Sequence, residues 1–180
     1  RLFIMPNHTS NFVEVETNTG CSKEQLALHS LRTMLSIHSG KFDFEGMIPM
    51  PKDLAKSFDV ADPFDHGDEW DNDMGHLVPS DPLTRKRWVK KYGFDNWYDW
   101  RVANWDTKWN SYDVDIEIDE MDKLHVSFLT AWSCPTSIYL KMKEYCDEHN
   151  LSLDWGVSFE GEDGYFDLKE QDLEDGRWTS

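Results

Sequence analysis

The sequence predicts an α+β fold, and three patterns in it carry that expectation. Tyr112-Asp113-Val114-Asp115-Ile116-Glu117-Ile118-Asp119 alternates apolar and acidic residues without a break, which is the period of a half-buried strand. Leu124, Val126 and Phe128 alternate in the same way just downstream. Segments 22–38 and 135–149 instead repeat their apolar residues at helical spacing.

The elements follow in chain order. Asn11-Phe12-Val13-Glu14-Val15-Glu16-Thr17 is β-branched and aromatic and stops at the turn signal Asn18-Thr19-Gly20, so it reads as the first strand. Ser22, with Gln25 three residues on, reads as a capping box opening a helix through Leu28, Leu31, Met34 or Leu35, and His38, up to Ser39-Gly40. From about 41 to 110 the pattern turns irregular, broken by Pro49, Pro51, Pro63, Pro79 and Pro82. Within it, Ser80-Asp81-Pro82 caps a short helix over Leu83 to Tyr92 ending at Gly93. Asn96, with Asp99 three residues on, starts another through Trp97, Trp100 and Trp105. Lacking an apolar set of its own, residues 41–110 read as one insertion and not as a second domain.

Pairing the like faces of 112–119 and 123–129 sets Ile118 beside Leu124, Ile116 beside Val126 and Val114 beside Phe128. Glu120-Met121-Asp122 is left as a three-residue hairpin loop. Ser133 and Pro135 open a second helix through Ile138, Met142, Tyr145, Cys146 and His149. Leu151, Leu153, Trp155, Val157 and Phe159 alternate as a strand, and Gly161-Glu162-Asp163-Gly164 turns the chain into a short one at Tyr165 to Leu168. Residues 171–180 are expected to form a flexible tail. Without the insertion the order is β-α-β-β-α-β-β. That is the split β-α-β plan of a single ferredoxin-like domain over 1–180, with an extra C-terminal strand and a large, Trp-rich, partly helical insertion between the first helix and the second strand.

Composition narrows the function classes. The 35 acids and 18 bases leave a net charge of −17, which opposes unspecific attraction of the whole chain to nucleic acid. Such charge serves either solubility or the engagement of a basic partner. Aromatics make up 14%, with nine Trp, so the core is expected to rest on large rings. No apolar run reaches membrane-spanning length and the first residues lack the pattern of a signal peptide, so a cytoplasmic location is expected. Cys21, Cys134 and Cys146 are odd in number and lack C-x-x-C spacing, as reduced structural thiols would.

Candidate sites are of four kinds. Trp97, Trp100, Trp105 and Trp109 alternate with Asp99, Arg101, Asn104, Asp106 and Lys108, a composition that can stack bases but more often docks a helix on a sheet. Residues 65–76 are dense in Asp, Glu and His. They miss the calcium-loop spacing, because Gly75 falls one place late and no glutamate stands at the twelfth position, so no metal is expected. G-x-S-x-G, Gly-rich phosphate loops and H-E-x-x-H are all missing, and neither catalytic residues nor a cofactor are expected; His125 facing Glu117 reads as an ordinary cross-strand pair. Arg85-Lys86-Arg87-Trp88-Val89-Lys90-Lys91 is the one basic cluster, either a nucleic-acid contact or a counter-charge for the acidic loops.

Several of these segments resemble a known family. Met5-Pro6-Asn7-His8-Thr9-Ser10-Asn11, Phe44-Glu45-Gly46-Met47-Ile48-Pro49-Met50-Pro51, Trp97-Tyr98-Asp99-Trp100-Arg101-Val102-Ala103-Asn104-Trp105-Asp106-Thr107-Lys108-Trp109 and Phe128-Leu129-Thr130-Ala131-Trp132-Ser133-Cys134-Pro135 are similar to segments of the YubB-type ferredoxin-like proteins of plasmids and phages. In this chain His8-Thr9 stands where the family commonly has Trp-Cys, Asp106 where Gly is usual, and Cys134 where Pro is frequent. The resemblance implies a ferredoxin-like fold and a mobile-element context, and it transfers no catalytic residues.

The expected function is that of an acidic accessory protein of a phage or plasmid that binds and modulates a host or defence protein with a basic surface. Nucleic-acid mimicry is one form of this reading. Its candidate contacts are Asp113, Asp115, Glu117 and Asp119, whose strand spacing of about 6.7 Å is twice the axial repeat of about 3.4 Å between phosphates of one DNA strand. The alternative is a nucleic-acid-binding module using Arg85, Lys86, Arg87, Lys90, Lys91, Trp97 and Trp100, and an enzyme with an unrecognised site is a third reading.

Overall fold

The computed structural model describes residues 8–55 and 81–161, and the short segments 164–169, 173–174 and 177–178. In chain order the elements are β1 (His8–Thr17), α1 (Ser22–Met34), α2 (Lys52–Ala55), α3 (Pro82–Tyr92), α4 (Trp97–Trp105), β2 (Tyr112–Ile118), β3 (Leu124–Ala131), α5 (Thr136–Glu148), β4 (Leu151–Gly161), β5 (Gly164–Lys169), β6 (Leu173–Glu174) and β7 (Arg177–Trp178). The chain divides into two compact units, residues 1–48 with 105–180, and residues 49–104. Where a tail was expected, β6 and β7 pair as a two-stranded ladder.

The first unit is an α+β unit built on an antiparallel sheet of order β2-β3-β1-β4-β5. Thr9, Asn11, Val13 and Val15 of the central strand are buried beneath the helices. Tyr139 of α5 stacks on Trp155 of β4 at 4.2 Å between centroids, and its hydroxyl donates to Asn11 Oδ1 at 3.0 Å. Asn11 in turn donates to Thr130 Oγ1 at 2.9 Å, so Tyr139, Asn11 and Thr130 satisfy one another. Tyr145 donates to the Ala27 carbonyl at 3.0 Å and ties α5 to α1. Phe42 stacks on Phe128 at 4.5 Å, and Trp105 donates from Nε1 to the Ile48 carbonyl at 2.9 Å. Large rings thus fill the core, and truncating one would cost about 3–5 kcal/mol.

Gly46 shows why the Phe44-Glu45-Gly46 segment needs glycine: a Cβ there would stand 1.8 Å from the Met34 carbonyl oxygen at the end of α1. α1 itself stops at Met34, four residues before its expected end, because Ser36 turns left-handed at φ 59° and Ile37–Ser39 continues as a 3-10 turn.

The expected caps of both long helices are replaced. Cys21, not Ser22, is the N-cap of α1 and makes no side-chain cap bond. Glu24 instead reaches back, accepting from Thr19 N–H at 2.8 Å, Thr19 Oγ1 at 2.9 Å and Gly20 N–H at 3.0 Å, and Asn150 closes on it from beyond α5. At α5 the cap role expected of Ser133 is filled by Asp106, whose carboxylate accepts the Ser137 N–H at 2.7 Å. Ser133 donates to the Asp106 carbonyl instead.

In the second unit the expected caps hold. Asp81 accepts from Leu83 and Thr84 N–H at 3.1 and 3.0 Å, Gly93 ends α3 at φ 81°, and Asn96 Oδ1 accepts the Asp99 N–H at 2.8 Å. Asp53 of α2 accepts from the Tyr92 hydroxyl at 2.6 Å.

Candidate docking face

Helices cover one face of the sheet, and the other carries the alternate residues of each strand. The expected register over the hairpin is present: Glu117 pairs with His125, Ile116 with Val126 and Ile118 with Leu124. His125 also pairs with Glu14 on its other side, and Glu14 with Asp154. Glu117, His125, Glu14 and Asp154 therefore form one row across four strands, and Asp115, Ser127, Phe12 and Gly156 form the next. On β5, Lys169 holds the register position beside Gly156.

Charge on this face is unbalanced. Glu14, Glu16, Asp115, Glu117, Asp119 and Asp154 share it with Lys123 and His125, and Lys169 of β5 adds a base at its register position on the row of Gly156. Lys123 Nζ lies 2.8 Å from Glu14 and 4.0 Å from Glu16, and His125 Nδ1 lies 2.8 Å from Glu14 Oε1. The hydrogen bond from Lys123, more than that from His125, holds the Glu14 carboxyl below its ordinary range. Glu117 and His125 are register partners as expected, but the His125 side chain meets Glu14 and, at 3.6 Å from Nε2, Asp119, and Glu14 reaches both bases from the opposite neighbouring strand. Glu117 and Asp115 remain exposed, as does Asp154.

Asp113 and Asp119 leave the even acidic row. The β2–β3 ladder shifts register between Tyr112 and Asp115, and Asp113 takes φ 48°, so Asp113 sits in a bulge and the expected pairing of Val114 with Phe128 is interrupted. Asp119 accepts from Lys123 N–H at 2.9 Å and Met121 N–H at 2.8 Å, which lowers its pKa and ties the carboxylate to the hairpin loop, and its Oδ2 lies 3.6 Å from His125 Nε2. Arg32 of α1 anchors that loop by pairing with Asp122 at 2.7 Å.

At the centre of the face Phe12 is 39% exposed and its ring lies over Gly156, where a Cβ would meet ring atom Cε1 at 2.2 Å. Sequence reasoning passed over Glu14, Phe12 and Asp154, because only the strand order brings β1 and β4 beside the hairpin.

The other candidate residues lie elsewhere. Trp97 and Trp100 are each 6% exposed, and the Arg101 guanidinium lies 5.2 Å from the Trp97 ring centroid. Arg85 pairs with Asp95 at 3.0 Å and Lys91 approaches Asp53 at 3.7 Å, whereas Lys86, Arg87 and Lys90 are exposed. Cys21, Cys134 and Cys146 are free thiols, and burial pushes both Cys134 and Cys146 up to about 12. The acidic loop at 65–76 lies outside the described residues. Among the described residues no three His, Cys, Asp or Glu side chains are placed to hold a metal ion, and no helix is long and apolar enough to cross a membrane. Comparisons with protein-family models, curated proteins and solved structures return no match to this chain.

Proposed function

We propose that the chain is a cytoplasmic docking protein whose open sheet face receives a basic surface of a host or defence protein. The observation that carries this reading is the cross-strand row Glu117, His125, Glu14 and Asp154 beside the half-exposed ring of Phe12. Carboxylates around an aromatic anchor suit a Lys- or Arg-rich surface, since the charge steers encounter and the ring supplies apolar contact.

The fold belongs, on this reading, to the ferredoxin-like class. The central position of β1 between β3 and β4, with helices following β1 and β3, supports it. The accessory role in a phage or plasmid rests on the resemblance to YubB-type proteins. Nucleic-acid mimicry is the narrowest form of the proposal. It rests on the repeat of Asp115 and Glu117 and requires the partner to lose its own nucleic-acid binding in the complex.

Affinity capture from host lysate with the wild type and with Glu14→Gln/Glu117→Gln/Asp154→Asn side by side tests it. The proposal expects a partner held by the wild type, released by salt and missing from the variant. A partner held equally by both assigns the binding to another surface.

A further inference from the structure

The acidic sheet face leaves α3 unexplained. None of its residues is buried, and it carries five of the chain's 18 bases in eleven residues. At 100° per residue, Lys86, Lys90, Leu83, Arg87 and Lys91 fall within an arc of about 140°. Thr84, Trp88 and Tyr92, at i, i+4 and i+8, are half-buried on the adjoining arc, from which the Tyr92 hydroxyl donates to Asp53 of α2. The helix thus presents a nearly uniform cationic stripe.

Among the described residues, only part of that charge meets a carboxylate. Arg85 is held by Asp95, and Lys91 lies 3.7 Å from Asp53. Among the described residues Lys86 and Lys90 meet no carboxylate, and Arg87 donates to the Thr84 hydroxyl at 3.1 Å and, after the Thr84 hydroxyl itself, helps to lower the pKa of Asp81. Among the described residues, carboxylates thus account for Arg85 and Lys91 and in part for Arg87, while Lys86 and Lys90 stand exposed.

We propose that Lys86, Arg87 and Lys90 on the outer stripe of α3 form a second binding site, for the phosphate backbone of nucleic acid. Contacts to phosphates require cations and no apolar anchor. Leu83 is the one apolar residue on the stripe, which is too little for a helix lying in a membrane surface, where a broad apolar face is needed. Lys86 and Lys90 stand one turn apart, about 6 Å along the axis, close to two phosphate steps of about 3.4 Å. The net charge of −17 does not forbid the contact. Residues 49–104 hold eight of the 18 bases and eleven of the 35 acids, and salt screens charges beyond about 8 Å at physiological ionic strength.

Fluorescence anisotropy of the full chain with a labelled DNA duplex, a poly-glutamate peptide and phosphatidylserine vesicles tests the site. Duplex binding is expected at about 50 mM salt, weakening with a log–log slope near −2.7 for three phosphates at about 0.9 each. Lys86→Gln/Arg87→Gln/Lys90→Gln should weaken it at least tenfold at an unchanged melting temperature, since these side chains are exposed. Glu14→Gln/Glu117→Gln/Asp154→Asn should bind the duplex at least as well as the wild type, which separates this site from the sheet face. No duplex binding by the wild type, equal binding by the α3 variant, or equally tight binding of poly-glutamate or vesicles would each overturn the proposal.

Discussion

Phe12 and Gly156 form one contact across β1 and β4, in which the ring occupies the space a side chain at 156 would need. Gly156→Ala must move the ring, because the new methyl would stand 2.2 Å from Cε1. The ring is partly exposed and can swing outward, at an off-rotamer cost of about 0.5–1.5 kcal/mol. Alanine offsets part of that by reducing the freedom of the unfolded chain, by about 0.4–1 kcal/mol. The expected outcome is a stability change below about 1 kcal/mol with a large displacement of the Phe12 ring resonances, read by thermal melts and NMR.

Glu24 predicts an acid-sensitive turn. Its carboxylate is held down to about 2, chiefly by the Thr19 backbone N–H. The unfolded value is about 4.3, so the folded state binds fewer protons. Its contribution to stability is complete above about pH 4.3 and is lost as pH falls toward about 2. Glu24→Gln should lower the melting temperature by several degrees at neutral pH and by less at low pH, flattening the acid limb of the stability curve in that window.

Asp106 combines two roles that single substitutions separate. It sits at φ 62° and its carboxylate caps α5 through Ser137. Asp106→Asn keeps both left-handed tolerance and an acceptor, so it should be near neutral. Asp106→Gly relieves the backbone and loses the cap, a loss of about 1 kcal/mol before that relief. Asp106→Ala suffers on both counts and should cost about 2–3 kcal/mol. Urea unfolding midpoints of the three variants check the order.

The hairpin register was legible because its period is two and its loop is short: Ile116 beside Val126 follows from alternation alone. Alternation is silent about backbone dihedrals, so the bulge at Asp113 was not. The caps failed for a related reason. Ser22 and Ser133 fit local patterns, while the groups that hold those helix ends, Glu24 with Asn150 and Asp106 with Ser137, are joined across 126 and 31 residues. The candidate face is the extreme case, since the row of Glu117, His125, Glu14 and Asp154 exists only once the order β2-β3-β1-β4 is known. The contacts of Glu14 also follow from that order, since it lies within reach of both Lys123 and His125 only because β1 neighbours β3.

The central claim is that the open sheet face receives basic chains, and amide chemical-shift mapping during titration with a Lys- and Arg-rich peptide tests it most directly. Shifts are predicted at residues 10, 12 and 14 of β1, 125 and 127 of β3 and 154 of β4, shrinking as salt rises from about 50 to about 200 mM. Shifts confined to α1 and α5, or a pattern that salt leaves unchanged, would contradict it.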